Sequence, residues 1–379
     1  MTAAGSIRRT DGRAEALAGA FERAGYARVE PAILQPADPF LDLSGEDIRA
    51  RMFLTTDAQG HEFCLRPDFT IPVSRDYLAS PQSGGAQGFC YLGPVFRDRA
   101  GQPAEFMQAG VESFARTDTA AADAEMIALG LEAAQHYGLQ APDIHLGDVG
   151  LFSALVAALD LAPAWKRRLV KDFNRKADLA QDLERLAPGA ANGKPDYQGV
   201  LAALAGSDPK AARALVTDLL SIAGITAVGG RSVGEIADRF LEQAALGASA
   251  SLPAEKRALV ERFLSIAGDP DEAAAALRAL AKDAGKQLRP ALDLFESRTG
   301  FLAARGIDVR TIRFATSFGR GLDYYSGLVF ELHDPKVSGP LVAGGRYDGL
   351  LTRLGAAQPI PAVGFSVWIE RLVAAGDRR

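Results

Sequence analysis

Cysteine and histidine are scarce in this chain. Two cysteines, Cys64 and Cys90, in 379 residues leave no basis for a disulfide framework and have no metal-like spacing, which fits a reducing compartment. The four histidines, His61, His136, His145 and His333, are scattered, so no metal site follows from their spacing, and none of the composition calls for a cofactor. Long hydrophobic runs are missing too. None reaches the length of a membrane span, and the N-terminal MTAAGSIRRTDG has no apolar signal core. Both absences point to a cytoplasmic protein with no membrane partner. An excess of positive charge is also lacking: 42 Lys and Arg stand against 47 Asp and Glu, a net charge of −5. Nucleic-acid binders neutralise phosphates with a basic patch, and no dense Lys/Arg cluster is present. Arg167, Arg168 and Lys171 form only a short basic stretch, read as a solvated helix face. No nucleic-acid partner is expected.

What is present is ordinary globular material. Hydrophobic residues make up 48% and charged residues 23%, enough for a large core, and the length suits two or three units. Residues 10–24 read as a helix with Leu17, Ala20 and Phe21 on one side, broken at Gly25. Ala27–Leu34 reads as a strand and its exit, and FCYLGPVFRDR (89–99) as a strand entering a turn. EFMQAGVESF (105–114) is the most informative strand. Strand side chains alternate faces, so Phe106, Gln108, Gly110, Glu112 and Phe114 share one face, and Met107, Ala109 and Val111 the other. A polar pair among those residues is either a binding surface or the solvent side of an edge strand. Residues 119–137 read as a helix.

From about 155 to 300 the chain is rich in Ala and Leu, with helical periodicity. Asp208–Pro209 and Asp269–Pro270 look like N-caps followed by proline at the first helical position, and Ser232 with Glu235 fits a capping box. Strand signals return at Val309–Ala315 and Ser326–Leu332, glycines for tight backbone geometry at AGGRYDGL (343–350), and a strand or turn running into a helix at GFSVWIERLVAAG (364–376). The expected organisation is a first part of a sheet-based core (1–155), a mostly helical insertion (156–300) and a second part of the core (301–379).

Taken together, these segments resemble a class II aminoacyl-tRNA synthetase core, specifically that of histidyl-tRNA synthetase. LRPDFTIPVSR (65–75) resembles that family's LRPEGT segment, FRDRAGQPAEFMQAGVESF its second signature motif, RGLDYYSGLVFE (320–331) its histidine-binding signature and GFSVWIERL (364–372) its third motif. GGRYDGL adds a shorter match. The RGLDYY block is the most specific. The resemblance implies an α+β fold: an antiparallel sheet flanked by helices, with the mostly helical insertion added. It also implies a histidine-like pocket at Asp68, Thr70, Gln108, Glu112, Arg320, Tyr324 and Tyr325. The chemistry is sensible: an α-ammonium takes carboxylates and neutral acceptors, an α-carboxylate an arginine fork, and an imidazole a donor and an acceptor. Asp68 is one methylene shorter than the family's glutamate.

Arg97 and Arg371 match the family's two signature arginines. Four departures argue against amino-acid activation. Trp368 stands where the pattern GFAxGxERL has glycine, and so fills space that ATP needs. Arg99 replaces the glutamate of FRxE. Only AGQPAE (100–105) separates Arg99 from Phe106, where the family has a longer basic segment. Phe69 occupies a glycine position. Arg97, Arg99, Trp368 and Arg371 are therefore read as a vestigial nucleotide site. A histidyl-tRNA synthetase carries an anticodon-binding domain after its third motif; seven residues follow Leu372 here, so no such domain is expected. What remains resembles the synthetase-like regulatory subunits of short-form ATP phosphoribosyltransferases. That resemblance implies a chain without catalysis of its own, a short catalytic subunit as partner, a homodimer within a hetero-oligomer, and histidine as feedback ligand. The alternatives are a shortened enzyme that forms an aminoacyl adenylate, and a pure scaffold whose pocket is vestigial.

Overall fold

The computed structural model describes residues 12–43, 48–187, 209–222 and 252–376. Its centre is a nine-stranded sheet in the order β1-β5-β6-β12-β11-β10-β7-β9-β8. The strands are β1 (Ala27–Arg28), β5 (Gln87–Phe96), β6 (Glu105–Phe114), β7 (Asp143–Asp148), β8 (Ala267–Gly268), β9 (Ile312–Ala315), β10 (Leu328–His333), β11 (Val342–Arg346) and β12 (Ala362–Trp368). β1 with β5 and β7 with β9 run parallel; the other neighbours are antiparallel. A small second sheet joins β2 (Leu34–Pro36), β4 (Glu62–Leu65) and β3 (Leu54–Thr56). On its outward face Leu34 and Phe53 flank Leu65. Ile33, Leu34, Phe53 and Leu54 are all exposed.

Alternation along the strands gives the large sheet two different faces. The rear face is apolar and carries helices. Phe21 of the helix Gly12–Arg23 meets Phe365 edge to face at 5.8 Å. The helix Thr119–His136 lies so close to β10 and β11 that a Cβ at Gly130 would touch Val342 and Phe330. Sequence alternation in β6 thus holds, but β6 sits between β5 and β12. Gln108 and Glu112 therefore belong to a central strand, and the edge-strand reading falls. The proline cap at Asp269 forms as the sequence suggests: its side chain accepts from the backbone N–H of Asp271 and Glu272. Asp208 and the Ser232–Glu235 box lie outside the described residues, although a helix does begin at Pro209.

The chain forms two compact units, one from Met1–Ala154 with Phe263–Arg379 and one from Leu155–Arg262. The helices Pro270–Ala284 and Arg289–Ala304 thus belong with the sheet, and the separate unit is shorter than the helical stretch seen in the sequence. Within that unit the helices Pro163–Asp172 and Lys176–Arg185 are joined by Arg168, which pairs with Asp182 at 2.7 Å. Arg167 and Lys171 are exposed, as a solvated face requires.

Behind the sheet lies a buried ionic network with no local signature in the chain. Arg298, on the helix Arg289–Ala304, reaches Asp123 of the helix Thr119–His136 at 2.9 Å and Asp148 at the end of β7 at 2.7 Å. Arg346, the last residue of β11, shares Asp123 and also holds Asp348. Asp348 accepts from Ala362 N–H and its own N–H donates to Ser326, which fixes the turn carrying Tyr347. With Arg298 1% exposed and Asp123 0%, removing one partner strands a charge in a place water does not reach. Arg298→Ala is expected to lower unfolding free energy by about 3–5 kcal/mol, measured by urea denaturation. A loss below about 1 kcal/mol would show that the network contributes little.

Candidate functional site

The front face of the sheet carries the site, and its floor is built on glycines. A Cβ at Gly364 would collide with Glu112 Oε2, one at Gly110 with the Tyr91 hydroxyl, and one at Gly345 with the Tyr325 ring at 2.9 Å. Their absence of side chains lets Glu112, Tyr91 and Tyr325 lie across the strands. Above this floor is a cavity of about 140 Å³, lined among others by Asp68, Thr70, Arg97, Gln108, Arg320, Tyr324, Tyr325, Tyr347 and Trp368. Apolar cavities of roughly 150 Å³ take up benzene, so one small aromatic ring with a short polar tail is in scale.

Asp68 is presented by a braced turn. Arg66 donates from Nε to Pro94 O at 2.9 Å and from Nη1 to Pro31 O. Its guanidinium covers the Phe69 ring at 4.1 Å, and Phe69 stacks on Tyr91 at 4.2 Å. Phe69 therefore fills a layered core stack rather than the cavity. Asp68 is 4% exposed. One of its oxygens accepts from Ile71 N–H at 3.2 Å; the other, Oδ2, has no partner. Burial raises its carboxyl above the usual range, and Arg97 opposes that rise.

Gln108 is 0% exposed, and neither its amide nitrogen nor its amide oxygen has a partner. Buried polar atoms are normally satisfied, and leaving one unmade costs about 1–3 kcal/mol. Together with Asp68 Oδ2, these atoms present a donor and acceptors into one small cavity.

Glu112 behaves differently. It is 1% exposed and is not part of the cavity wall. One oxygen accepts from Thr70 Oγ1 at 2.7 Å and weakly from Tyr91 OH at 3.4 Å; the other accepts from Tyr347 OH. Burial pushes this carboxyl up to about 8, against the pull of the Tyr347 and Thr70 hydroxyls. Glu112 thus anchors the floor and acts on the cavity through hydroxyls. Tyr347, Tyr91 and Ser366, which the sequence reading did not single out, complete this layer. Tyr91 OH lies 2.9 Å from Ser366 Oγ. Tyr347 sat inside the GGRYDGL match. Tyr91 is brought to Glu112 only by the β5–β6 register, which no local pattern reveals.

Arg320 comes from the loop before β10. Its Nε donates to Glu331 at 3.0 Å and its Nη1 to Tyr325 OH at 2.6 Å. Tyr324 packs edge to face on Tyr347 at 5.7 Å. Six of the seven residues predicted for the pocket line the cavity, and Glu112 supports them from below.

The residues assigned to a nucleotide site adjoin this pocket, and Trp368 is the register partner of Gln108. Trp368 is 7% exposed and forms part of the cavity wall. Arg371 sits 5.0 Å over its ring and donates to Pro340 O at 2.7 Å. Arg97 donates to Pro67 O at 2.7 Å. Arg99 covers the Phe106 ring at 3.8 Å and donates to Pro103 O at 3.1 Å. Each arginine is thus engaged by a backbone carbonyl. Glu370 accepts from Met107 N–H at 2.8 Å, tying the third-motif helix to β6.

A larger open cleft of about 460 Å³, lined by His145, Asp269, Arg310 and Arg313 among others, contains none of the predicted residues. Among the described residues no group of three His, Cys, Asp or Glu side chains could hold a metal ion. No helix among them is long and apolar enough to cross a membrane. Cys64 and Cys90 are buried and free.

A family model described as histidyl-tRNA synthetase matches residues 5–228 and 214–372. Proteins named ATP phosphoribosyltransferase regulatory subunit from Brucella canis and Brucella suis are each 42% identical over 357 residues, covering 93% of this chain and 94% of the relative. A crystal structure of an ATP phosphoribosyltransferase regulatory subunit/histidyl-tRNA synthetase from Bacillus halodurans superposes with a TM-score of 0.64 at 24% identity, covering 96% of this chain and 77% of that one. A histidine–tRNA ligase subunit from Alicyclobacillus acidocaldarius gives 0.59 at 24% identity, covering 99% and 96%. The two structures establish likeness of fold.

Glu112 provides a pH signature. Its folded value of about 8 lies above the ordinary 4.5, so the folded state holds a proton that the unfolded state releases. Its contribution is therefore most favourable below the ordinary value and is lost as pH rises towards 8. Glu112→Gln removes this dependence. Denaturation of both proteins between pH 5 and pH 8 should show the variant gaining on the wild type as pH rises. A difference that stays constant with pH would mean that Glu112 does not titrate there.

Proposed function

The chain belongs to the ATP phosphoribosyltransferase regulatory subunit family, which shares the histidyl-tRNA synthetase fold, and from that premise we propose that it serves histidine biosynthesis as a non-catalytic subunit whose pocket takes histidine. The observation that carries the ligand is the unpartnered amide of Gln108 beside the unpartnered Asp68 Oδ2. A zwitterionic amino acid satisfies both: its ammonium goes to Asp68 and the Gln108 oxygen, and its carboxylate to Arg320. The imidazole is left to the tyrosines of the wall. The absence of catalysis rests on Trp368 in the cavity wall and on Arg97, Arg99 and Arg371 held by main-chain carbonyls. ATP would have to displace the indole and strip those contacts.

The partner in this proposal is a short-form ATP phosphoribosyltransferase catalytic subunit, met by a homodimer of this chain within a cytoplasmic hetero-oligomer. The apolar residues Ile33, Leu34, Phe53 and Leu54 on the small sheet are of the kind that assemblies cover. Feedback follows if histidine binds two states of the assembly unequally, because only differential affinity shifts an equilibrium.

Calorimetry with the full chain should show histidine binding that Gln108→Leu weakens by about tenfold or more, the value of one hydrogen bond to a charged group. Equal affinity in the variant would remove Gln108 from the ligand site. Copurified with a short catalytic subunit, the chain should raise phosphoribosyl-ATP formation and make it sensitive to histidine. No change in either, or histidine-dependent exchange of pyrophosphate into ATP by the chain alone, would overturn the regulatory reading.

A further inference from the structure

Arg320, which faces the pocket together with Arg97, is already partly neutralised from behind. Its Nε donates to Glu331 Oε1 at 3.0 Å, and the two side chains are 12% and 18% exposed. Glu331 divides its carboxylate, for its second oxygen lies 2.9 Å from His333 Nε2. The two residues stand two apart on β10 and so share the front face of the sheet. Across the strand pair Glu331 is opposite His145 and His333 is opposite Asp143, and the His145 and His333 rings are 4.9 Å apart. From the third-motif helix, Arg371 also feels Glu331. Burial raises the Glu331 carboxyl, but His333 and Arg320 outweigh burial and hold it below its ordinary value. A partly buried carboxylate therefore sits behind Arg320, hydrogen-bonded to a histidine outside the cavity.

We propose that Glu331 and His333 are positioning residues that set how strongly the pocket holds the carboxylate of its ligand. This rests on the reading that the pocket takes a histidine-like amino acid. An entering carboxylate competes with Glu331 for one guanidinium. His333, by keeping one Glu331 oxygen, limits how fully Glu331 lies on Arg320. The line Arg320–Glu331–His333–His145 also connects the pocket to the open cleft that His145 lines.

Two substitutions push the balance in opposite directions. Glu331→Gln keeps an oxygen for Arg320 Nε and removes the negative charge, so Arg320 offers its full charge to the ligand. His333→Ala frees the second oxygen, so Glu331 settles wholly on Arg320. Calorimetry of the full chain at one near-neutral pH, with histidine and with the isosteric histidine amide, separates this role from simple structural support. The ratio of histidine affinity to amide affinity should rise on the order of tenfold in Glu331→Gln and fall in His333→Ala. If His333→Ala does not fold, the glutamine variant decides alone. An unchanged ratio, or equal loss for both ligands, would overturn the positioning role while leaving the histidine pocket intact. A wild-type chain that binds neither ligand would overturn the pocket reading, and this proposal with it.

Discussion

A carboxyl group buried in the middle of a sheet holds its proton more tightly and needs polar partners for both oxygens. Glu112 is that group here, and its partners are hydroxyls: Thr70 from the start of a helix, Tyr347 from the turn after β11, and Tyr91 from β5. Each comes from a different segment, so satisfying this one side chain brings together the helix after the LRPDFT turn, the GGRYDG turn and the register of β5 with β6. Gly110 and Gly364 make it sterically possible. The ionic network behind the sheet serves the same arrangement from the other side, since Arg346 and Asp348 fix the turn that presents Tyr347.

The front of the sheet carries two groups of residues of different character side by side, for Trp368 is the register partner of Gln108. Around Gln108 and Asp68, polar atoms are buried and unmatched, the state of a surface prepared for a ligand rather than of a core. Around Trp368, by contrast, each of the three arginines donates to a main-chain carbonyl, and all three lie over aromatic rings. Arginines turned onto main-chain carbonyls and aromatic rings, beside an indole in the wall, are not arranged as a clamp for phosphates. The same strand, β12, serves both groups: Gly364 lies beside Glu112, and Trp368 lies opposite Gln108.

Much of this was legible in the chain. The alternation of EFMQAGVESF placed Gln108 and Glu112 on one face, and RGLDYY and LRPDFT brought in Arg320, Tyr324, Tyr325, Asp68 and Thr70. Two kinds of information were not. Strand order is one: nothing local says that Tyr91 lies beside Ser366, or that Glu331 has His145 across from it, because those contacts are set by pairing between distant segments. The other is direction. Phe69 reads as bulk at a glycine position, yet the structure turns it into a stack between Arg66 and Tyr91, where it stiffens the turn that carries Asp68. Asp123, Asp148 and Arg298 were invisible for a related reason. The local pattern of each element gives no sign of its partner, since Asp123 and Arg298 stand 175 positions apart in the chain.

On the proposed reading the front face takes an amino acid at Gln108, Asp68 and Arg320, while the adjoining Trp368 and its arginines close the neighbouring space to a nucleotide. A crystal structure of the chain grown with both histidine and a non-hydrolysable ATP analogue tests it most directly. The account predicts histidine between Gln108, Asp68 and Arg320, with the Trp368 indole in place under Arg371 and no ordered nucleotide. A nucleotide bound beside a displaced indole, with Arg97 and Arg371 on its phosphates, would contradict it.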